Sequence, residues 1–164
     1  FIETGHLQPA PVSDQILENV KKVTEHALDS LEITHGALHT ELKIDDDGNI
    51  KIIEIGARMG GDFIGSHLVE MSTGVDFVKS VIEVALGQEP NLASHNHLKY
   101  AAVKFVFNEK DTGVLEKVQR DAKQYLREFQ VDEDVEKEVT DSSTRHGYFI
   151  MEADERKVIE KYIL

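Results

Sequence analysis

No cysteine occurs among the 164 residues. A disulfide framework and any thiolate metal site are therefore excluded, and a reducing compartment is compatible with the composition. Basic residues are scarce. Lys and Arg number 18 against 31 Asp and Glu, for a net charge of −13. That excess disfavours nucleic acid as a partner, because phosphate binding needs clustered Lys and Arg. Long apolar runs are also missing. Nothing approaches the roughly 18 residues of a membrane-spanning helix, and no signal-peptide pattern opens the chain. No membrane partner is expected, and a cytoplasmic location is. The initiating Met is lacking too: the chain starts Phe1-Ile2-Glu3, which reads as a piece of a longer protein.

Against these absences stands an apolar share of 40%. That is enough for a real core in one domain, or one domain with a small appendage. Phe1–Leu7 reads as a short strand end broken by Pro9 and Pro11. Ser13 is placed to cap a helix over 14–32, where Ile16, Val20, Val23, Ala27, Leu28 and Leu31 recur at helical spacing. Residues 37–44 and 50–55 read as strands around Asp45-Asp46-Asp47-Gly48-Asn49. A short helical stretch near Ile64–Met71 follows a glycine-marked loop. A second helix, with Val75, Val78, Ile82, Ala85 and Leu86 on its face, ends at Gly87. Residues 88–97 read as a linker. Beyond it, 98–107, 131–139 and 147–153 read as strands, and 113–129 and 154–164 as helices. The order favours α+β over a doubly wound sheet. Two consecutive pieces are expected, 1–90 and 98–164.

The chemistry concentrates in the hairpin. A two-residue Asp47-Gly48 turn makes paired residue numbers sum to 95, which sets Glu41 opposite Glu54 and His39 opposite Gly56. Directly opposed side chains share a face, with Cβ atoms about 4.5–5.5 Å apart, so the two acids repel. A hard dication between them resolves this, since Mg2+ takes one or two carboxylates and completes its shell with phosphate and water. The plainer alternative is a pair of solvated acids. The isoleucines around Glu54 (Ile50, Ile52, Ile53 and Ile55) argue for an apolar neighbourhood, in which a bare carboxylate is costly. Arg58 follows just past the strand, where a guanidinium can stabilise charge on a transferring phosphoryl group or form an ordinary salt bridge. Gly60 and Gly61 either let backbone N–H groups approach an anion or simply make a turn. Lys43 shares the Glu41 face, near a nucleotide or merely solvated. His26, His35, His67, His95, His97 and His146 show no metal-ligand spacing.

The runs Gly36–Lys43, Ile52–Asp62, Thr73–Phe77 and Ala85–Gln88 resemble the C-terminal lobe of ATP-grasp enzymes. The resemblance covers residues 1–90. It is nearest to carbamoyl-phosphate-synthase-like and biotin-carboxylase-like members and the L-amino-acid ligases. It implies an ATP-grasp lobe with an antiparallel sheet and flanking helices, plus a small C-terminal αβ layer. It also implies that Glu41 and Glu54 bind magnesium on the phosphates of ATP, with Mn2+ as the alternative cation, and that Arg58 contacts the reacting phosphoryl group. Many members carry a metal-ligating Asn two residues after the second acid. Here that position is Gly56; some amino-acid ligases also lack this Asn, and His39-Thr40-Glu41 resembles the His-Thr-Glu of those ligases. Glu3 and His6 resemble an acid and a His lining the amino-acid pocket of the same ligases. There Glu3 would hold a substrate ammonium and His6 would orient or deprotonate the amine; on spacing alone they are equally a surface acid and a capping His. Arg145, in Ser142–Tyr148, is read as structural.

The family clamps ATP between two lobes, and the lysine-bearing lobe lies upstream. The expected partners are thus small carboxylate and amine substrates, the rest of the protein's own ATP-grasp domain and, in a homodimer, a second copy. The first reading is an ATP-dependent carboxylate–amine ligase working through an acyl phosphate, whose isolated fragment binds Mg–nucleotide weakly at best. The alternatives are an enzyme of the carbamoyl-phosphate-synthase or biotin-carboxylase type, and a non-catalytic nucleotide-binding module.

Overall fold

The computed structural model describes residues 2–94 and 99–163. The expectations for His95 and His97, and for a strand beginning at Leu98, lie outside the described residues. The chain divides into two compact units, and each is discontinuous in sequence. One comprises Phe1–Pro9, His67–Val75 and Ala93–Leu164; the other comprises Ala10–Ser66 and Asp76–Leu92. This division differs from the two consecutive pieces, 1–90 and 98–164, that the sequence suggests. The first strand finds its hydrogen-bonding partner about a hundred residues downstream, so it joins the later part of the chain.

In the first unit, β1 (Gly5–Gln8), β4 (Tyr100–Phe105), β5 (Leu126–Val131) and β6 (Gly147–Ala153) form one antiparallel sheet in the order β1-β4-β6-β5. Alternation along β4 and β6 sends Ala102, Phe149, Met151 and Ala153 to one face. There they bury against Leu115, Val118 and Ala122 from α4 (Glu109–Asp121) and Ile159, Tyr162 and Ile163 from α5 (Arg156–Ile163). Ala101, Val103 and Ile150 alternate to the opposite face and are also fully buried. α2 (Val69–Thr73) packs on β4, and Lys99 N–H donates to the Ser72 carbonyl over 3.1 Å. Burying both faces explains why β4 and β6 read as nearly continuous apolar runs.

Several boundaries differ from the sequence reading. The helix expected over 113–129 starts earlier because the Asn108 side chain caps it, accepting from Lys110 N–H over 3.0 Å. It ends at Asp121 because Leu126 already pairs with Met151 in β5. The strand expected over 131–139 is therefore displaced to Leu126–Val131. A register shift between Leu126 and Glu128 marks Arg127 as a bulged residue. Its Nε donates to Glu152 over 2.7 Å, and Lys99 donates to the other oxygen of that carboxylate. Burial pushes the Glu152 carboxyl up, but the hydrogen bonds and charges of Lys99 and Arg127 outweigh it and hold the group below its ordinary value.

In the second unit, α1 (Asp14–Ser30) packs on a two-stranded hairpin of β2 (His39–Ile44) and β3 (Ile50–Gly56). Ser13 caps α1 as its sequence position suggests, accepting from Ile16 N–H over 3.3 Å. α3 (Phe77–Ala85) starts two residues later than Val75 because the Asp76 side chain accepts from Lys79 N–H over 2.9 Å.

Candidate functional site

The hairpin turn is not the two-residue turn its Asp-Gly suggests. Asp45 N–H donates to the Asn49 carbonyl over 3.0 Å, and Gly48 N–H donates to the Asp45 carbonyl over 2.9 Å. The loop is thus the three residues Asp46, Asp47 and Gly48, with Gly48 at φ 81°. Such loops close a turn of type I with a left-handed residue, which glycine adopts without a Cβ penalty. The Asp45 carboxylate accepts from the Asn49 side chain and from the backbone of Asn49 and Asp47, which hold it below its ordinary value.

The extra loop residue shifts the register of every pair near the turn. Ile44 faces Ile50, Lys43 faces Lys51 and Leu42 faces Ile52. Continued without interruption, that register would set Glu41 against Ile53 and send Glu54 to the other face. Between Glu41 and Leu42 the register shifts by one, and Ile53 is the residue left over on β3. Beyond this bulge Glu41 faces Glu54, Thr40 faces Ile55 and His39 faces Gly56. The acid pair expected from the sequence is present, and two compensating irregularities produce it. Ile53 and Glu54 are both exposed, as adjacent residues at a bulge are able to be. Leu42, Ile44, Ile50, Ile52 and Ile55 are partly buried, whereas Glu41, Lys43 and Lys51 are exposed.

That exposure corrects one step of the sequence argument. Glu54 does not stand in an apolar environment, and Ile53 beside it is 55% exposed. The isoleucines that bury do so through the opposite face. What singles out the pair is its placement, two carboxylates directly across a bulged ladder. Among the described residues no group of three or more His, Asp or Glu could hold a metal ion by itself. The donor set therefore suits a hard cation that takes two carboxylate oxygens from protein and the rest from phosphate and water, which is how Mg2+ binds with nucleotides.

Arg58 lies on the same side. A Cβ built on Gly56, which alternates onto the Glu54 face, would sit 3.7 Å from Arg58 Cγ and 3.9 Å from its guanidinium carbon. The guanidinium thus folds over Gly56, and its Nη1 donates to the Met59 carbonyl over 3.0 Å. The two loop glycines separate in role. Gly60 is buried, and its Cβ would meet His39 Nδ1 at 3.0 Å and Ile64 at 3.1 Å. Gly61 faces open space. Positive φ falls instead on Asp62, at 48°, and Phe63, at 67°. Non-glycine residues held there cost about 1–3 kcal/mol each. His39 is thus part of this constellation, and its position directly before Thr40-Glu41 and its expected pairing with Gly56 were the sequence signals for it.

Glu3 and His6 belong to the other compact unit. The exposed Glu3 carboxylate accepts from Arg145 Nη2 over 3.0 Å. The Arg145 side chain is only 6% exposed, and its guanidinium carbon lies 3.8 Å from the centre of the Phe105 ring. His6 meets the edge of the same ring at a centroid distance of 6.0 Å. His6 and Arg145 thus meet at Phe105, and Glu3 is tied to them through Arg145. Arg145, taken from sequence as structural, is a direct partner of a candidate substrate residue; no local pattern near residue 145 points to Phe105.

A family model of the ATP-grasp domain matches residues 1–66, the stretch that holds β1, α1, the hairpin, Arg58 and the glycine loop. No curated protein matches the chain. Phosphoribosylglycinamide synthetase from Anaerococcus prevotii superposes with a TM-score of 0.76 at 17% identity, over 98% of this chain and 42% of its own. The L-amino acid ligase from Bacillus licheniformis gives 0.75 at 21% identity, over 99% of this chain and 42% of its own. The biotin carboxylase domain of the Hydrogenobacter thermophilus 2-oxoglutarate carboxylase, solved with MgADP and bicarbonate, gives 0.57 at 18% identity, over 93% of this chain and 35% of its own. The chain spans less than half the length of these proteins. With an α+β architecture shared along nearly its whole length, the chain has the fold of the ATP-grasp superfamily.

Proposed function

We propose that this chain is the metal-binding lobe of an ATP-dependent carboxylate–amine ligase that works through an acyl phosphate. The observation that carries the reading is the bulge at Ile53, which restores Glu41 and Glu54 to one another after the turn has shifted the register. The family model over residues 1–66 supports it, as does the likeness in fold to synthetases and ligases.

In this reading a substrate carboxylate attacks the γ-phosphorus of ATP, giving an acyl phosphate and ADP. An amine then attacks the acyl carbon and expels inorganic phosphate, leaving an amide. Glu41 and Glu54 would hold Mg2+, or Mn2+ in its place, which would supply neutralisation of the phosphate charge. Arg58, lying over Gly56 on the acid face, stabilises charge that develops on the phosphoryl oxygens. Gly61, open to solvent, leaves its backbone accessible to an anion. Lys43 is exposed on the Glu41 face and serves the nucleotide. Glu3, fixed by Arg145, receives the ammonium of the amine substrate. His6 orients that amine or takes its proton. The protein's part is positioning and electrostatics more than covalent chemistry.

The test is substrate-dependent ADP release by the intact protein, screened across amino acids and small carboxylates with Mg2+ and with Mn2+. Release that needs both a carboxylate and an amine, and is abolished by Glu54→Gln, is the expected result. Nucleotide binding without release under any pair of substrates would leave a binding module in place of an enzyme.

A further inference from the structure

We propose that His39 is a positioning residue of the phosphoryl site, whose ring supports the Gly60–Gly61 loop and thereby fixes Arg58 over the acid face. The proposal rests on the ligase reading for its kinetic readout only.

His39 is two residues before Glu41 on β2, so the pleat places both on one face, and it stands directly across from Gly56. Two of its neighbours are glycines, and at Gly60, though not at Gly56, a side chain would interfere. At Gly56 a Cβ would lie 3.7 Å from the His39 carbonyl oxygen and from Arg58 Cγ. At Gly60 it would lie 3.0 Å from His39 Nδ1, closer than a carbon normally comes. The ring therefore rests against the bare backbone of Gly60. Ile64 crowds the same point, at 3.1 Å through both Cβ and Cγ2.

The loop is stiff on its far side as well. The Gly60 carbonyl accepts from Gly65 N–H over 3.2 Å. A Cβ at Gly65 would stand 2.9 Å from that carbonyl oxygen and 3.2 Å from the Met59 side chain. Arg58 is tied into the same loop through its hydrogen bond to the Met59 carbonyl. Displacement of the imidazole is thus passed to Gly60, to Met59 and to the guanidinium, while Glu41 and Glu54 remain held by the hairpin ladder. Metal–nucleotide binding and the phosphoryl step are then set by separate supports.

Gly60→Ala tests this in the intact protein. The added methyl and the ring cannot both keep their places. The ring has to give by a few tenths of an ångström; a misplacement of about 1 Å costs about 100-fold, so a displacement of this smaller size passed to the guanidinium lowers kcat several-fold. The KM for Mg–ATP is expected to stay within about twofold, because the acid pair is untouched. Removing the ring in the same background, as His39→Ala with Gly60→Ala, should recover at least half of the lost kcat. The activity-independent arm is the Arg58 Nε–H resonance in 1H–15N spectra, which should move in Gly60→Ala and return toward the parent in the double variant. If Gly60→Ala does not fold, the single variants carry the test. His39→Ala should move the Arg58 resonance and lower kcat at constant KM, and His39→Gln, which refills the space with a planar group, should restore both. An Arg58 resonance indifferent to every substitution, or a double variant no nearer the parent than Gly60→Ala, overturns the proposal. Coupled resonances in a protein that turns over no substrate would instead sustain the role of His39 and refute the ligase reading.

Discussion

Glu54→Gln separates a cation site from a pair of solvated acids, because only a cation site makes the sign of its effect reverse when Mg–nucleotide is added. Glu41 and Glu54 face each other directly across the ladder and both are exposed. A like-charge cross-strand pair costs about 0.2–1 kcal/mol. For a chain of this length each kcal/mol moves the melting temperature by about 2–4 °C. Without metal, Glu54→Gln should therefore melt up to about 4 °C higher than the parent. The gain should shrink with added salt, since at about 1 M the screening length falls to about 3 Å. With saturating Mg–nucleotide the order reverses. A ligand at about 100 times its dissociation constant stabilises the parent by about 2.7 kcal/mol, or roughly 5–10 °C, and the variant should lose this. Gln keeps the shape and one acceptor oxygen, so the loss reports charge and not packing. The assay is thermal unfolding at low and high salt, with and without Mg2+ and ATP. A variant that melts several degrees lower without metal would show the acid to be structural. A variant that keeps the full Mg–nucleotide shift would refute its assignment as a ligand.

On the proposed ligase reading, Arg58→Lys should lower ADP release by the intact protein at least tenfold while ATP binds nearly as before, because Lys retains the charge but not the planar fork of donors; comparing kcat with nucleotide affinity checks this. Gly147→Ala should destabilise the first unit by about 3 kcal/mol or more: Gly147 has φ 136°, and a Cβ there would fall 2.1 Å from the Gln130 carbonyl oxygen, so chemical denaturation should show a lowered midpoint. Tyr148 donates to the Glu128 carboxylate, and this hydrogen bond, with burial and the neighbouring charge, pushes the phenol up to about 12. The proton is held more tightly in the folded state, so this contribution to stability is complete below pH 10 and is lost as pH rises toward 12; Tyr148→Phe should flatten the alkaline limb of the stability profile.

Much of the local structure was legible in the residues themselves. Ser13 before an apolar 3.6 period, Gly87 after one, and two alternating segments about Asp-Gly each carry a local physical cause, and each element is present. The Glu41–Glu54 pair was legible too, but by a route the molecule does not take. A two-residue turn and an unbroken ladder predict it; a three-residue turn and a bulge deliver it. The bulge was hidden because Ile52-Ile53-Glu54-Ile55 offers no polarity contrast to mark which isoleucine drops out of the alternation. The same lack of contrast made Glu54 look buried when only its neighbours' opposite face is. Other features depend on residues far apart in sequence, where no period can report them. β1 joins β4, Arg145 lies on Phe105 and reaches Glu3, and Leu126 turns from helix continuation to strand because Met151 is there to pair with it. Gly60 and Gly61 are identical as letters; only the imidazole of His39 against one and open space against the other distinguishes a packing glycine from an accessible one.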